Sequence, residues 1–216
     1  MSSTQAPLSQ PKKRSRAAAE RDEFLRLIWR AQMGEFDPRR LVFVDEMGTH
    51  TSLAPVYAYA PIGERAFFKE VPRNRGRNTT LIASLHTEGM GASMAVEGAT
   101  TREVFEVYVE HFLGPALRVG QIVIMDNLGA HRPQRVRKLI EERGCELLFL
   151  PPYSPDLNPI EEAFSKVKKI LRKFAARTKE TLVEAMGGAL SNYLERGKRC
   201  WRRYQSRMQA TLTNPR

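Results

Sequence analysis

Gln121–Phe164 reads QIVIMDNLGAHRPQRVRKLIEERGCELLFLPPYSPDLNPIEEAF. Gln121–Asp126 is an apolar run that stops abruptly at a carboxylate, as a buried strand does. Pro133–Arg143 has a proline in its first turn and Gly144 just past its end, the punctuation of a helix. Glu146–Leu150 is a second short strand. A proline-rich loop then opens a helix predicted over Leu157–Ala176. A strand–helix–strand unit in one sheet pairs its strands in parallel through a right-handed crossover, so an α/β fold is expected.

Upstream the period differs. Residues 17–33 are predicted helical, with Phe24, Leu27, Ile28 and Ala31 at three-to-four spacing as the buried face. Leu41–Asp45 reads as a buried strand. Thr51–Pro61 and Arg65–Val71 read as two strands around the turn Pro61–Glu64. Thr79–His86 and Ala92–Val96 follow as two more, turned at Glu88–Gly91, which together make an antiparallel meander. Thr101–Leu117 is a predicted helix facing inward with Val104, Phe105, Tyr108, Phe112 and Leu113, capped by Thr100 or Thr101. The last helix is expected over Lys179–Arg207, with a break near Gly187-Gly188.

The 216 residues suit one sizeable core. No apolar run approaches the roughly 20 residues that span a bilayer. Cys145 and Cys200 show no pairing by spacing, which fits a reducing cytosol. The net charge of +11 is unevenly placed. Residues 41–163 carry twelve Lys/Arg against sixteen Asp/Glu, whereas residues 164–216 carry fourteen against three. A basic tail beside an acidic centre fits a polyanion laid across the first and reaching the second.

Asp45 and Asp126 both sit where apolar strands end, the edge at which open α/β sheets bind ligands. Carboxylates brought that close repel, and a hard divalent cation relieves them. On the helix of Leu157–Ala176, Leu157, Ile160, Phe164, Val167, Leu171 and Phe174 form the expected apolar stripe. At about 100° per residue, Glu161 falls at its edge and Glu162 faces solvent. Carboxylate ligation selects Mg²⁺ or Mn²⁺ over zinc, and two such ions suit phosphodiester cleavage. No Cys/His set has zinc spacing, and no glycine-rich phosphate loop is present.

FVDE, MDNLGAH and LPPYSPDLNPIEEAF together resemble the catalytic domain of insertion-sequence transposases related to the mariner superfamily, with an Asp-Asp-Glu triad. The 34 residues between Asp126 and Glu161 match that superfamily's interval. The resemblance implies a ribonuclease H-like fold: a mixed sheet, antiparallel meander plus parallel strands, flanked by helices, with a basic C-terminal helical region. It implies Asp45, Asp126 and Glu161 as ligands of two Mg²⁺ (or Mn²⁺) ions, cleavage at transposon ends, and strand transfer into target DNA. By analogy it also implies a homodimer.

Supporting roles are expected for Asn127, His131 and Asn158. Asn127 and His131 would contact the scissile phosphate or a metal-bound water, or His131 would orient the next helix. Asn158 would cap the helix ahead of Pro159. His50 and His86 read as structural. DNA contacts are expected from Lys166, Lys168, Lys169, Arg172 and Lys173, and from Arg73, Arg75 and Arg77. Trp201 and Tyr204 would pack on the core or stack on bases. The expected domains are a basic leader and linker helix over 1–39, a catalytic domain over 40–178, and a basic helical extension over 179–216 packed on it. About 40 residues precede Asp45, too few for the usual helix-turn-helix recognition region. A separately encoded helix-turn-helix protein or frame is therefore the expected partner, in a bacterial cytoplasm at the nucleoid. Two other readings stay open: a catalytically silent DNA-binding relic or regulator, and a ribonuclease H or junction resolvase on the same fold.

Overall fold

The computed structural model describes residues 21–57, 59–66, 71–73, 76–127 and 134–213, with the side chains of 192–200, 202 and 207–213 excepted. Five strands form one sheet: β1 (Leu41–Thr49), β2 (Thr79–His86), β3 (Gly89–Glu97), β4 (Ile122–Met125) and β5 (Glu146–Phe149). Their order is β3-β2-β1-β4-β5. The first three are antiparallel, and β4 and β5 continue in parallel from β1. The helices are α1 (Glu23–Glu35), α2 (Arg102–Tyr108), α3 (Gly114–Ala116), α4 (Gln134–Glu141), α5 (Pro159–Phe174) and α6 (Lys179–Thr213).

Alternation along the strands sorts the core into two layers. Leu41, Phe43 and Met47 of β1, with Ile122 and Ile124 of β4, pack beneath α1, α5 and α6. Val42 and Val44, with Val123 and Met125, pack beneath α2 and α4 on the other face. Phe43 is fully buried against Trp201 and Tyr204 of α6, with ring centroids 5.5 and 5.3 Å away. Both α6 aromatics therefore belong to the core, and the base-stacking reading of Trp201 and Tyr204 is excluded. Among the described residues no helix is long and apolar enough to cross a membrane.

Several expectations need correction. Among the described residues no strand lies between Thr49 and Thr79, which corrects the strand expected over Thr51–Pro61; the one expected over Arg65–Val71 lies mostly outside the described residues. Pro55 and Pro61 remove ladder donors there, and Val56, Tyr57, Tyr59 and Ile62 stay exposed. Of that region, the turn survives: Glu64 N–H donates to the Pro61 carbonyl at 3.0 Å. β1 runs past Asp45 to Thr49, because β2 keeps pairing it as far as Thr49 opposite Thr79. Only its parallel pairing with β4 stops at Val44.

α1 turns a different face inward. Phe24, Leu27 and Ile28 are exposed, while Arg26, Trp29 and Met33 are buried. Trp29 and Met33 share a face with Arg26, whose partner Asp156 lies on that side, and the more apolar stripe is left outside. Thr101 caps α2 as expected, its hydroxyl accepting from Val104 N–H. The helix then widens into a π turn over Val109–Leu113, closed by Gly114 N–H on the Val109 carbonyl. A wider turn changes the facing of its residues, so Val109 and Leu113 are buried and Phe112 is not. Pro115, lacking an N–H, could not restore the α-helical bond.

α5 begins at Pro159, after a 3₁₀ turn over Pro155–Leu157, and ends at Phe174. Ala175 caps it in the left-handed conformation, φ 51°, and Phe174 is left exposed. α6 continues unbroken through Gly187-Gly188.

Candidate metal and nucleic-acid site

In the parallel register Val44 pairs with Met125, so Asp45 and Asp126 are the next neighbours across two adjacent strands. Such strands lie about 4.8 Å apart. Both aspartates share the parity of Phe43 and Ile124, which face α5. Glu161, in the first turn of α5, reaches the same place from above. Asp45, Asp126, Asn127, Asn158 and Glu161 line one cavity of about 360 Å³, together with the loop Leu150–Pro155. The two aspartates are half-buried and Glu161 is exposed. A second cavity of about 470 Å³ shares Asn127, Leu150, Pro151 and Pro152 with it and extends under Trp29 of α1.

The loop between β5 and α5 shapes this cavity. Tyr153 takes a left-handed backbone, φ 53°, between Pro152 and Ser154. Ser154 donates its hydroxyl to the Pro152 carbonyl, and the 3₁₀ turn closes through Asn158 N–H on the Pro155 carbonyl. Pro155 and Pro159 stiffen the approach on either side.

Asn158 occupies the helix-cap position but makes no side-chain cap bond. Its amide instead donates to Asp45 Oδ2 at 2.9 Å, while Glu46 N–H donates to Asp45 Oδ1 at 2.7 Å. A carboxylate accepts only, so the NH₂ group must face Asp45. That leaves Asn158 Oδ1 buried with no hydrogen-bond partner. The expected capping role is corrected: the competing demand of Asp45 for a donor wins.

Glu162 is not the solvated residue expected. It bonds Lys166 Nζ at 2.9 Å and Arg203 Nη1 at 2.7 Å. Burial pushes its carboxyl up, but Lys166 and Arg203 outweigh this and hold it below the usual carboxylate range. The helical wheel rightly turned Glu162 away from the aspartates and missed that α6 covers that side.

A second unforeseen contact lies behind the loop. Arg26, fully buried, grips Asp156 with a two-pronged pair at 3.0 and 2.6 Å. Burial raises the Asp156 carboxyl, yet the Arg26 bonds and charge, with Arg21 nearby, hold it below its usual value. Arg26, Trp29 and Met33 share one helical face, but nothing in the sequence marks Asp156, 130 residues on, as the partner.

The expected DNA contacts divide. Lys166 is paired with Glu162. Lys168 and Arg172 are half-buried, and Lys169 and Lys173 are exposed. At about 100° per residue, Lys168 and Arg172 fall within about 20° of Glu161 on α5. Arg73 and Arg77 are exposed in the β1–β2 connection. His131 and Arg75 lie outside the described residues. His50 and His86 are local: each accepts a backbone N–H two residues on through Nδ1, from Ser52 and Glu88.

Residues 40–183 match the family model of DDE superfamily endonucleases. The chain belongs to that family. The DDE endonuclease sheet is also that of solved structures. A Mos1 mariner paired-end complex with Mn matches with a TM-score of 0.74 at 19% identity, over 94% of this chain and 66% of that one. The Mos1 strand transfer complex gives 0.67 at 18%, over 94% and 66%. The Mos1 catalytic domain gives 0.63 at 17%, over 87% of each. These likenesses establish the ribonuclease H-like fold. The chain spans 66% of the length of the Mos1 chains in the two complexes. No curated protein gives a significant match to the sequence.

The donors fit a hard divalent cation. Every polar side chain named around the cavity offers oxygen or amide donors, and Asn158 Oδ1 is a buried acceptor left unused. Among the described residues no three Asp, Glu, His or Cys side chains lie close enough together to hold one ion.

Proposed function

We propose that this DDE endonuclease is the catalytic part of a transposase, cleaving transposon-end DNA and joining it to target DNA. The observation that carries this reading is the meeting of Asp45, Asp126 and Glu161 around one cavity, each from a different element. Asp45, Asp126 and Glu161 would hold two Mg²⁺ or Mn²⁺ ions. The chemistry such ions supply when bound is activation of the attacking oxygen and stabilisation of the leaving one.

The chain's own residues supply placement. β1 and β4 fix the two aspartates side by side through paired backbone, so their separation is set by the sheet. Asn158 and Glu46 N–H orient the Asp45 carboxylate. Glu161 is brought over them by a helix whose start is stiffened by two prolines. Lys168 and Arg172 continue from Glu161 along α5, where they would contact successive phosphates of a duplex. Arg73 and Arg77 would add a second contact from the β1–β2 connection.

Residues 40–178 act as the catalytic unit, and α6 braces it. The working assembly is a homodimer that joins two ends, with end recognition supplied by a helix-turn-helix region. For DNA as the partner, support comes from a structure of the same fold, the Mos1 transposase paired-end complex with left transposon end.

The test is nicking of duplex DNA bearing the element's terminal repeats, with Mg²⁺ or Mn²⁺. Cleavage is expected, abolished by Asp126→Ala or Glu161→Ala and retained by Glu162→Ala. Undiminished cleavage by both of the first two variants would overturn the assignment. A preference for RNA–DNA hybrids would replace it with a ribonuclease.

A further inference from the structure

Arg26 belongs to α1, which precedes the stretch that matches the endonuclease family. Yet its side chain is fully buried, and its partner Asp156 lies inside that stretch, 130 residues away. An arginine taken out of water in this way is costly unless its fork is matched. The match is bidentate, at 3.0 and 2.6 Å, and Arg21 adds a third contact to Asp156 at 3.8 Å.

The position gripped is specific. Asp156 is the centre of the 3₁₀ turn Pro155–Leu157. Two residues on, Asn158 bonds Asp45, and α5 begins at Pro159 with Glu161 in its first turn. One short turn, stiffened by Pro155 and Pro159, thus joins the residue that orients Asp45 to the helix that carries Glu161. A shift at Asp156 has no slack in which to dissipate.

We propose that Arg26 is a positioning residue for the active centre: by anchoring Asp156 it sets the Pro155–Leu157 turn, and through it the places of Asn158, Asp45 and Glu161. A helix ahead of the family-matched stretch then helps to set the active centre without lining its cavity. This rests on the reading of Asp45, Asp126 and Glu161 as metal ligands.

The experiment measures Mn²⁺ binding to the full chain by electron paramagnetic resonance, alongside single-turnover nicking and DNA affinity. Wild-type protein binds Mn²⁺, and Asp126→Asn removes that binding. Asp156→Asn and Arg26→Met each raise the Mn²⁺ dissociation constant about tenfold and slow nicking by a similar factor, as loss of an outer-shell partner does. DNA affinity stays unchanged. Arg26→Lys, which keeps the charge without the fork, restores part of both. In the double variant Arg26→Met/Asp156→Leu the losses do not multiply, because one contact is removed twice. Should Arg26→Met fail to fold, Asp156→Asn carries the test, since the Asp156 side chain is half-exposed. Wild-type Mn²⁺ affinity and nicking rate in Asp156→Asn, with only a lowered melting temperature, would overturn the proposal while leaving the metal site intact. Mn²⁺ binding that Asp126→Asn does not alter would overturn the reading of the site itself.

Discussion

The Asn158 amide and the Asp45 carboxylate are bonded at 2.9 Å although 113 residues separate them in sequence. The bond ties the loop ahead of α5 to the central strand of the sheet. It also fixes which Asp45 oxygen points at the loop and which at the Glu46 N–H.

Removing that donor tests its role. Asn158→Ala is expected to slow nicking roughly 10–100-fold, the usual cost of losing a hydrogen bond to a metal ligand, with DNA affinity unchanged. Asn158→Asp sets a second negative charge against Asp45. Like charges so close are relieved by a cation, so Mn²⁺ should raise the melting temperature of this variant more than that of wild type. A full nicking rate in Asn158→Ala would show that Asp45 needs no such support.

Lys168 and Arg172 share the face of α5 that carries Glu161, whereas Lys166 is bound to Glu162. Each phosphate contact contributes about 0.9 to the slope of log affinity against log salt. Lys168→Ala and Arg172→Ala should each flatten that slope by about one contact, and Lys166→Ala should leave it nearly unchanged. Titrations of duplex DNA at several salt concentrations decide the matter. Equal losses in all three variants would mean that DNA lies across the whole polar side of α5.

The sheet and its site were legible because their signals are local. Val123–Asp126 and Leu41–Asp45 each end an apolar run in a carboxylate, which puts both aspartates at one edge of the sheet; that they also share a face follows from the parallel register. The choice of Glu161 over Glu162 needed only the 100° step of a helix. What escaped the sequence depends on contacts between distant segments. Nothing near Asn158 announces that Asp45 will compete for its amide, and nothing near Glu162 announces Arg203, 41 residues on. The face of α1 was misread for the same reason. Phe24, Leu27 and Ile28 make the better apolar stripe, but Arg26 has a buried partner that only the fold supplies. The strand expected over Thr51–Pro61 rested on β-prone residues, and Pro55 and Pro61 outweighed that preference.

The Arg26–Asp156 pair makes the docking of α1 sensitive to acid. Arg26 and Arg21 hold the Asp156 carboxyl below its ordinary value of about 3.8. A carboxyl whose folded value is depressed contributes stability that is present above its unfolded value and lost as pH falls through the folded one. The contribution is therefore constant from neutral pH down to about 5, begins to fall near the unfolded value of about 4, and is lost as pH drops through the lower folded value. The stability difference between wild type and Asp156→Asn should shrink across that acid range, monitored by the emission of the buried Trp29 in a Trp201→Phe background. A difference that stays constant down to pH 3 would mean that Asp156 is not the group that titrates.

Trp201 offers a test of how α6 is held. Its ring packs against Phe43 and Tyr204, and it is 3% exposed, yet its indole N–H is buried without a hydrogen-bond partner. The indole therefore contributes area and shape, and its polar atom detracts. Trp201→Ala should cost roughly 3–5 kcal/mol, the range for an aromatic removed from a core. Trp201→Phe keeps most of the contact and discards a donor that was costing desolvation, so its cost should fall below about 1.5 kcal/mol. Chemical denaturation of both variants reads the difference. Equal destabilisation by the two substitutions would mean that the indole N–H finds a partner after all.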